Sequence, residues 1–218
     1  MASLTYLQLV NSVLRRLREN EVTAVTDNTY SKMVGEFVND AKRQCEDAYT
    51  WNALNSSISI STTSGTSLYS LAGSGQRFKV TDVLDNTNKN IIRVTATTDM
   101  DLLNLLSPSQ TGQPLYYNFE GVDANGDTQV RLYPVPNDVI SITFNITQPT
   151  GLLSNSGDTV SIPTEPIIFN AVARAIAERG EDGGMASSEQ YALFKQSLGD
   201  AIAIESGRYL EEDSWISN

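Results

Sequence analysis

Two changes of hydrophobic period constrain the fold of this chain. The segment from Ile162 to Leu198, IPTEPIIFNAVARAIAERGEDGGMASSEQYALFKQSL, holds two amphipathic stretches around a short acidic Gly-Gly break. Their apolar residues recur at helical spacing. The opening residues hold two more such stretches. From Asn55 onward the period switches to strict alternation, the mark of a strand with one buried face. A two-helix hairpin cannot bury its apolar stripe alone, and each chain end supplies one hairpin, so pairing them is the simplest solution. The expected architecture is therefore α+β: a four-helix bundle from both chain ends with an inserted antiparallel β sandwich or barrel. The expected boundaries are 1–54 and 151–218 for the two halves of the helical domain and 55–150 for the β domain. The second helical half includes an acidic C-terminal tail.

Local signals place the elements. Thr5 and Gln8 form a capping box at the start of the first helix, and Leu4 and Leu9 occupy its staple positions. Tyr6, Val10, Val13, Leu14 and Leu17 share one face. The second helix is expected from Tyr30 to Trp51, burying Val34, Phe37, Val38, Ala41, Cys45 and Ala48. Strands are expected at Ile58 and Ile60, and near 67–71, 78–84, 90–96, 115–120, 128–133 and 139–147. Turn signals separate them. One short helix, Met100 to Leu106, is capped by Thr98 or Asp99 and ended by Ser107-Pro108. A Gly/Ser/Asn linker from Thr150 to Ser161 returns the chain to the helical part. Thr164 is the expected N-cap of the third helix, with Pro166 in its first turn and Gly180 ending it. The fourth starts at Ser187 or Ser188 and turns Tyr191, Phe194, Leu198, Ala201 and Ile202 inward.

The chain has no histidine and a single cysteine, Cys45. That removes the commonest general base and excludes zinc sites built on His and Cys. Cys45 lies on an apolar helical stripe and reads as a small buried hydrophobe. Asp123-Ala124-Asn125-Gly126-Asp127 begins like a calcium loop, but Thr128 and Pro134 stand where that motif needs Gly and Glu. A tight Asn-Gly hairpin turn explains it better. Gly73-Ser74-Gly75 lacks the Lys-Ser/Thr of a phosphate loop and reads as a turn. No carboxylate pair sits in a recognisable catalytic context. Neither an enzyme nor a cofactor nor a metal is expected. No apolar run is long enough to span a bilayer. The N-terminus lacks a basic leader, so it is read as mature structure and no membrane is expected.

The net charge is −11, and residues 151–218 carry four Lys/Arg against eleven Asp/Glu. Such a chain repels a phosphate backbone and is not expected to bind nucleic acid tightly. Within the acidic tail, Trp215 has no evident core to enter and is a candidate anchor for a partner.

The opening SLTYLQLVNSVLRRLRE resembles the N-terminal helix of head-to-tail adaptor proteins of tailed bacteriophages. The C-terminal segment is the stronger match: the Pro163–Pro166 start, AVARAIAERGED, then MASSEQYALFKQSL. It resembles the tail tubular protein A and head-completion adaptor group of short-tailed phages. The helical–β–helical order agrees, so the resemblance covers the whole chain at the level of architecture. It implies a structural virion protein at the head–tail interface, assembled in the host cytoplasm. It further implies a closed homo-oligomeric ring of about twelve copies, a dodecamer. The ring would join the portal protein to a tail nozzle or tube protein, and viral DNA would pass through its lumen during ejection without specific binding. The C-terminal tail would insert into the portal, and Tyr209, Trp215 and Ile216 are the expected portal-binding residues. The alternatives are another tail ring component, a nozzle or terminator, or a carbohydrate-binding or hydrolytic β module on a helical stalk. The last requires aromatics clustered on one strand face, with Tyr116, Tyr117 and Phe119 as candidates.

Overall fold

A computed structural model describes residues 3–106, 110–180 and 185–208. The helices α1 (Tyr6–Arg16) and α2 (Thr29–Ala48) open the chain. Then come β1 (Asn55–Ser61), β2 (Leu68–Ser70), β3 (Lys79–Asp85), β4 (Asn90–Ile91) and β5 (Arg93–Val94). The helix α3 (Thr97–Leu106) separates these from β6 (Thr111–Gly112), β7 (Tyr116–Val122), β8 (Thr128–Tyr133), β9 (Val135–Pro136) and β10 (Ser141–Thr147). The helices α4 (Thr164–Arg179) and α5 (Met185–Ser206) follow. The chain is α+β. It divides into two compact units, one of residues up to Ala53 and from Thr150 onward, the other of Leu54–Pro149.

In the helical unit α4 packs against α1, α2 and α5, and α1 packs against α2. The capping box forms at Thr5, which accepts from the Gln8 backbone N–H while the Gln8 side chain accepts from Thr5. Tyr6, Leu9, Val10, Val13 and Leu14 are buried. The second helix ends earlier than expected: Asn28 and Ser31 cap its start, and it stops at Ala48. Trp51, beyond that end, turns inward until it is 2% exposed, and its indole N–H donates to the Cys45 carbonyl at 2.8 Å. Ala48 is exposed and Phe37 only half-buried, whereas Lys42 and Glu46 are buried. The third long helix is capped by Pro163, without a side-chain bond, so Thr164 is its first residue and not its cap. Gly180 ends it in the left-handed conformation, φ 65°, with its N–H bonded to the Ile176 carbonyl. That conformation costs a side-chain-bearing residue about 1–2 kcal/mol.

The stretch from Thr150 to Ser161 is more than a connector. Asp158 Oδ2 accepts from the backbone N–H groups of Ser154 and Asn155, at 2.7 and 2.8 Å. The carbonyls of Asp158 and Ser156 accept from Tyr6 and Leu7, at 2.7 and 3.1 Å. Two of the N–H groups that the first turn of α1 cannot pair internally are satisfied this way.

The strand unit holds two four-stranded sheets, ordered β1-β10-β3-β4 and β2-β8-β7-β5, and a short β6-β9 pair. None closes into a barrel, so the barrel alternative is set aside. Nor is every pair antiparallel: β5 runs parallel to β7 and β6 to β9. A parallel pair needs a long crossover, and between β5 and β7 the chain supplies one through α3. That helix starts at Thr97, one turn before the expected Met100, so Thr98 and Asp99 lie inside its first turn. Its expected Ser107-Pro108 stop lies outside the described residues. Val83, Ile142, Phe144 and Ile146 of one sheet share a hydrophobic cluster with Tyr117, Val130 and Leu132 of the other.

Candidate docking surface of the helical unit

On α2, Asn39, Lys42 and Glu46 share a face at spacings of three and four residues, and together they grip the returning chain. Asn39 donates to the Leu153 carbonyl at 3.0 Å and accepts from the Leu153 N–H at 2.9 Å. The Lys42 ammonium reaches Glu46 at 3.0 Å and donates to the carbonyls of Thr150 (3.1 Å) and Gly151 (2.9 Å). Glu46 accepts from the Thr150 hydroxyl at 2.7 Å. The ion pair is fully buried. Burying two charges costs several kcal/mol each, and this pair is tolerable because its donors and acceptors find partners. It fixes where the chain re-enters the helical unit. Sequence periodicity missed it, although a Lys and a Glu four apart on an apolar stripe is a readable signal.

Candidate chemical sites resolve into packing. Burial and the neighbouring Glu46 carboxylate push the Cys45 thiol up to about 12, which leaves it protonated and unreactive at neutral pH. Asp123 sits in the hairpin turn between β7 and β8, accepting from Asn125 and Asp127 N–H groups at 2.8 and 3.0 Å. Asp127 instead reaches into the Gly73-Ser74-Gly75 turn, accepting from Gly73 N–H at 3.0 Å and Gly75 N–H at 2.9 Å. A nest of backbone donors is an anion site, and here its anion is the protein's own carboxylate. Among the described residues no group of His, Cys, Asp or Glu is placed to hold a metal ion, and no helix is long and apolar enough to cross a membrane. Tyr117 is buried and packs edge-to-face on Phe119 and Phe144, so it belongs to the core and not to a sugar platform.

One apolar surface that the packing leaves uncovered lies on α5. Phe194 and Glu205 are its buried residues, while Leu198, Ala201 and Ile202 are half-buried. Tyr191, expected inward, is 40% exposed; Leu193 and Ile204 are 41% and 66% exposed. A helix that packs along one neighbour buries a narrow stripe, and the rest of its apolar residues stay outside. Leu193 and Ile204 help line a groove of about 760 Å³ within the helical unit, whose apolar lining includes Trp51, Pro166, Phe169 and Ala201. Glu165, Asp200, Glu205 and Arg208 supply its charges. Glu205 is already committed, accepting from the Asn52 N–H at 3.0 Å and from Arg208 at 2.9 Å. The Arg16 guanidinium lies 4.4 Å from the centre of the Phe169 ring. Arg208, one of the lining residues, is the last described residue, so Tyr209, Trp215 and Ile216 lie outside the described residues.

No curated protein matches this chain. A family model described as SU10 adaptor protein matches residues 4–214, nearly the whole chain. The match bears out the resemblance carried by the helical segments at both ends. The chain belongs to the SU10 adaptor protein family, consistent with a phage head-to-tail adaptor.

Proposed function

We propose that this protein is a non-enzymatic component of the virion, a head-to-tail adaptor that closes into a ring of about twelve subunits between portal and tail. The observation that carries the reading is family membership across residues 4–214, which takes in both compact units. In this reading the helical ends form one four-helix bundle that meets the portal. The residues from 55 to 150 form an inserted sandwich that meets a nozzle or tube protein. Trp215 anchors in the portal, with Tyr209 and Ile216 beside it, because a large aromatic in a partner's pocket is a strong binding determinant. An acidic chain suits a channel through which DNA slides without sticking, since like charge opposes phosphate contacts. The helices count against a nozzle or terminator subunit, which would be mostly β.

The test is a truncation. Removing residues 209–218 spares every described helix and is expected to leave the protein folded by circular dichroism. Co-sedimentation with the cognate portal should then be lost. Undiminished co-sedimentation of the truncated protein would refute the assignment of the tail to the portal.

A further inference from the structure

We infer that β1 is a strand-addition site: its open edge takes an extended segment of another protein, apolar at alternate positions and free of acidic residues. The Thr62 N–H donates to the Ile140 carbonyl at 2.9 Å, and the Gln148 N–H to the Leu54 carbonyl at 3.1 Å. Between these two bonds the β1–β10 register runs unbroken from Asn55↔Thr147 to Ser61↔Ser141. Antiparallel ladders alternate, so the backbone groups of Ser56, Ile58 and Ile60 face β10, and those of Ser57, Ser59 and Ser61 face outward. β1 is an end strand of its sheet, and those three serines are exposed. An unpaired row of N–H and C=O groups is a template for another strand, and proteins blunt such edges with short strands, Lys, Pro or bulges. β1 has none of these protections: it runs for seven residues, NSSISIS, with no charge, no proline and no register shift. Among the described residues the other edge strands, β2, β4, β5, β6 and β9, are two or three residues long.

The surroundings of β1 define its occupant. Ile58 and Ile60 pack against the hydrophobic cluster but stay half-buried at the open edge. A strand laid beside them covers them if it carries apolar side chains at every second position, because neighbours on one face of a sheet touch across strands. On the opposite face Ser57, Ser59 and Ser61 present hydroxyls, and Ser59 Oγ lies 2.8 Å from Thr143 Oγ1. That face suits small polar side chains. Neither β1 nor β10 carries a charged residue, so the edge offers no cation to an acidic segment, and the chain around it has net charge −11. The same charge disfavours a second copy. A second copy's long open edge among the described residues is β1 itself, and that pairing would stop at a two-fold dimer. The open edge does not rest on the adaptor reading, whereas a tail-side protein as the donor of the strand does.

The experiment is amide hydrogen exchange, read by NMR on the full chain, alone and with the capped peptide KTITVTITK. In the free protein the Ile58 and Ile60 amides should exchange slowly and the Ser57, Ser59 and Ser61 amides fast. The peptide should slow those three several-fold and saturably, because strand addition works through main-chain hydrogen bonds. The scrambled peptide KTTIVITTK, with the same residues and charge but no alternation, should leave them fast. Ser57→Pro removes one outward N–H without touching the β10 ladder, and an edge position tolerates proline. It should weaken the alternating peptide about tenfold with the circular dichroism spectrum unchanged. Serine amides that are already slow in dilute free protein, or that respond alike to both peptides or to neither, overturn the proposal. So does protection that rises with protein concentration in the absence of peptide, which would make a second copy the occupant. These outcomes leave portal docking by residues 209–218 untouched, so the failure of this inference and the failure of the adaptor reading are told apart.

Discussion

At the scale of single residues, the stability of the helical unit turns on the buried Lys42–Glu46 pair. Lys42→Met leaves the Glu46 carboxylate buried without its cation and should cost about 3–5 kcal/mol in urea unfolding. Adding Glu46→Leu removes the stranded charge. The double variant should still unfold about 1–3 kcal/mol too easily, because the carbonyls of Thr150 and Gly151 lose their donor. Three aspartates set the acid limit. Backbone N–H groups hold their carboxyls below the usual range: chiefly that of Ala24 for Asp27, that of Asp127 for Asp123, and that of Asn155 for Asp158. Because the folded values lie below the unfolded ones, their contribution is complete above the ordinary carboxylate value near about 4 and is lost as pH falls through the folded values. Urea midpoints should therefore hold steady from neutral pH down to about 5 and drop below it, with a shallower acid limb in Asp158→Asn.

At the scale of elements, helix contacts explain which glycines can change. Gly35 lies where α1 meets α2, and a Cβ there would stand 2.4 Å from the Tyr6 hydroxyl and 2.9 Å from Val25 Cγ1. Gly35→Ala should destabilise by about 1–3 kcal/mol through overpacking. Gly199 in α5 faces open space, so Gly199→Ala should stabilise by about 0.5–1 kcal/mol through helix propensity. Thermal unfolding of the two variants should shift in opposite directions. The helix starts and stops that were legible in the sequence are the ones made by neighbours in the chain. The Thr5–Gln8 box and the Gly180 stop need only residues within one turn. What was illegible depends on distant partners. Lys42 is buried because residues about a hundred positions away bring two carbonyls to it, and Tyr191 stays exposed because α5 buries only a narrow stripe. The parallel pairing of β5 with β7 was hidden for the same reason: alternation reveals a buried face, not a strand's direction.

At the scale of the molecule, composition, the helical ends and the family agree on an assembly protein. The candidate site was legible only as far as the tail that holds Trp215. The groove lined by α5 needed α4, α5 and the Trp51 corner in place, and no local pattern encodes that meeting. Under the proposed function, assembly is conditional on a partner: a free subunit carrying net charge −11 would repel its own copies, and a portal would supply the template that overrides the repulsion. Electron microscopy of negatively stained protein, with and without the portal, tests this most directly. Rings stacked on the portal, with dispersed single subunits in its absence, are the predicted result. Protein that forms no ring on the portal would contradict the account.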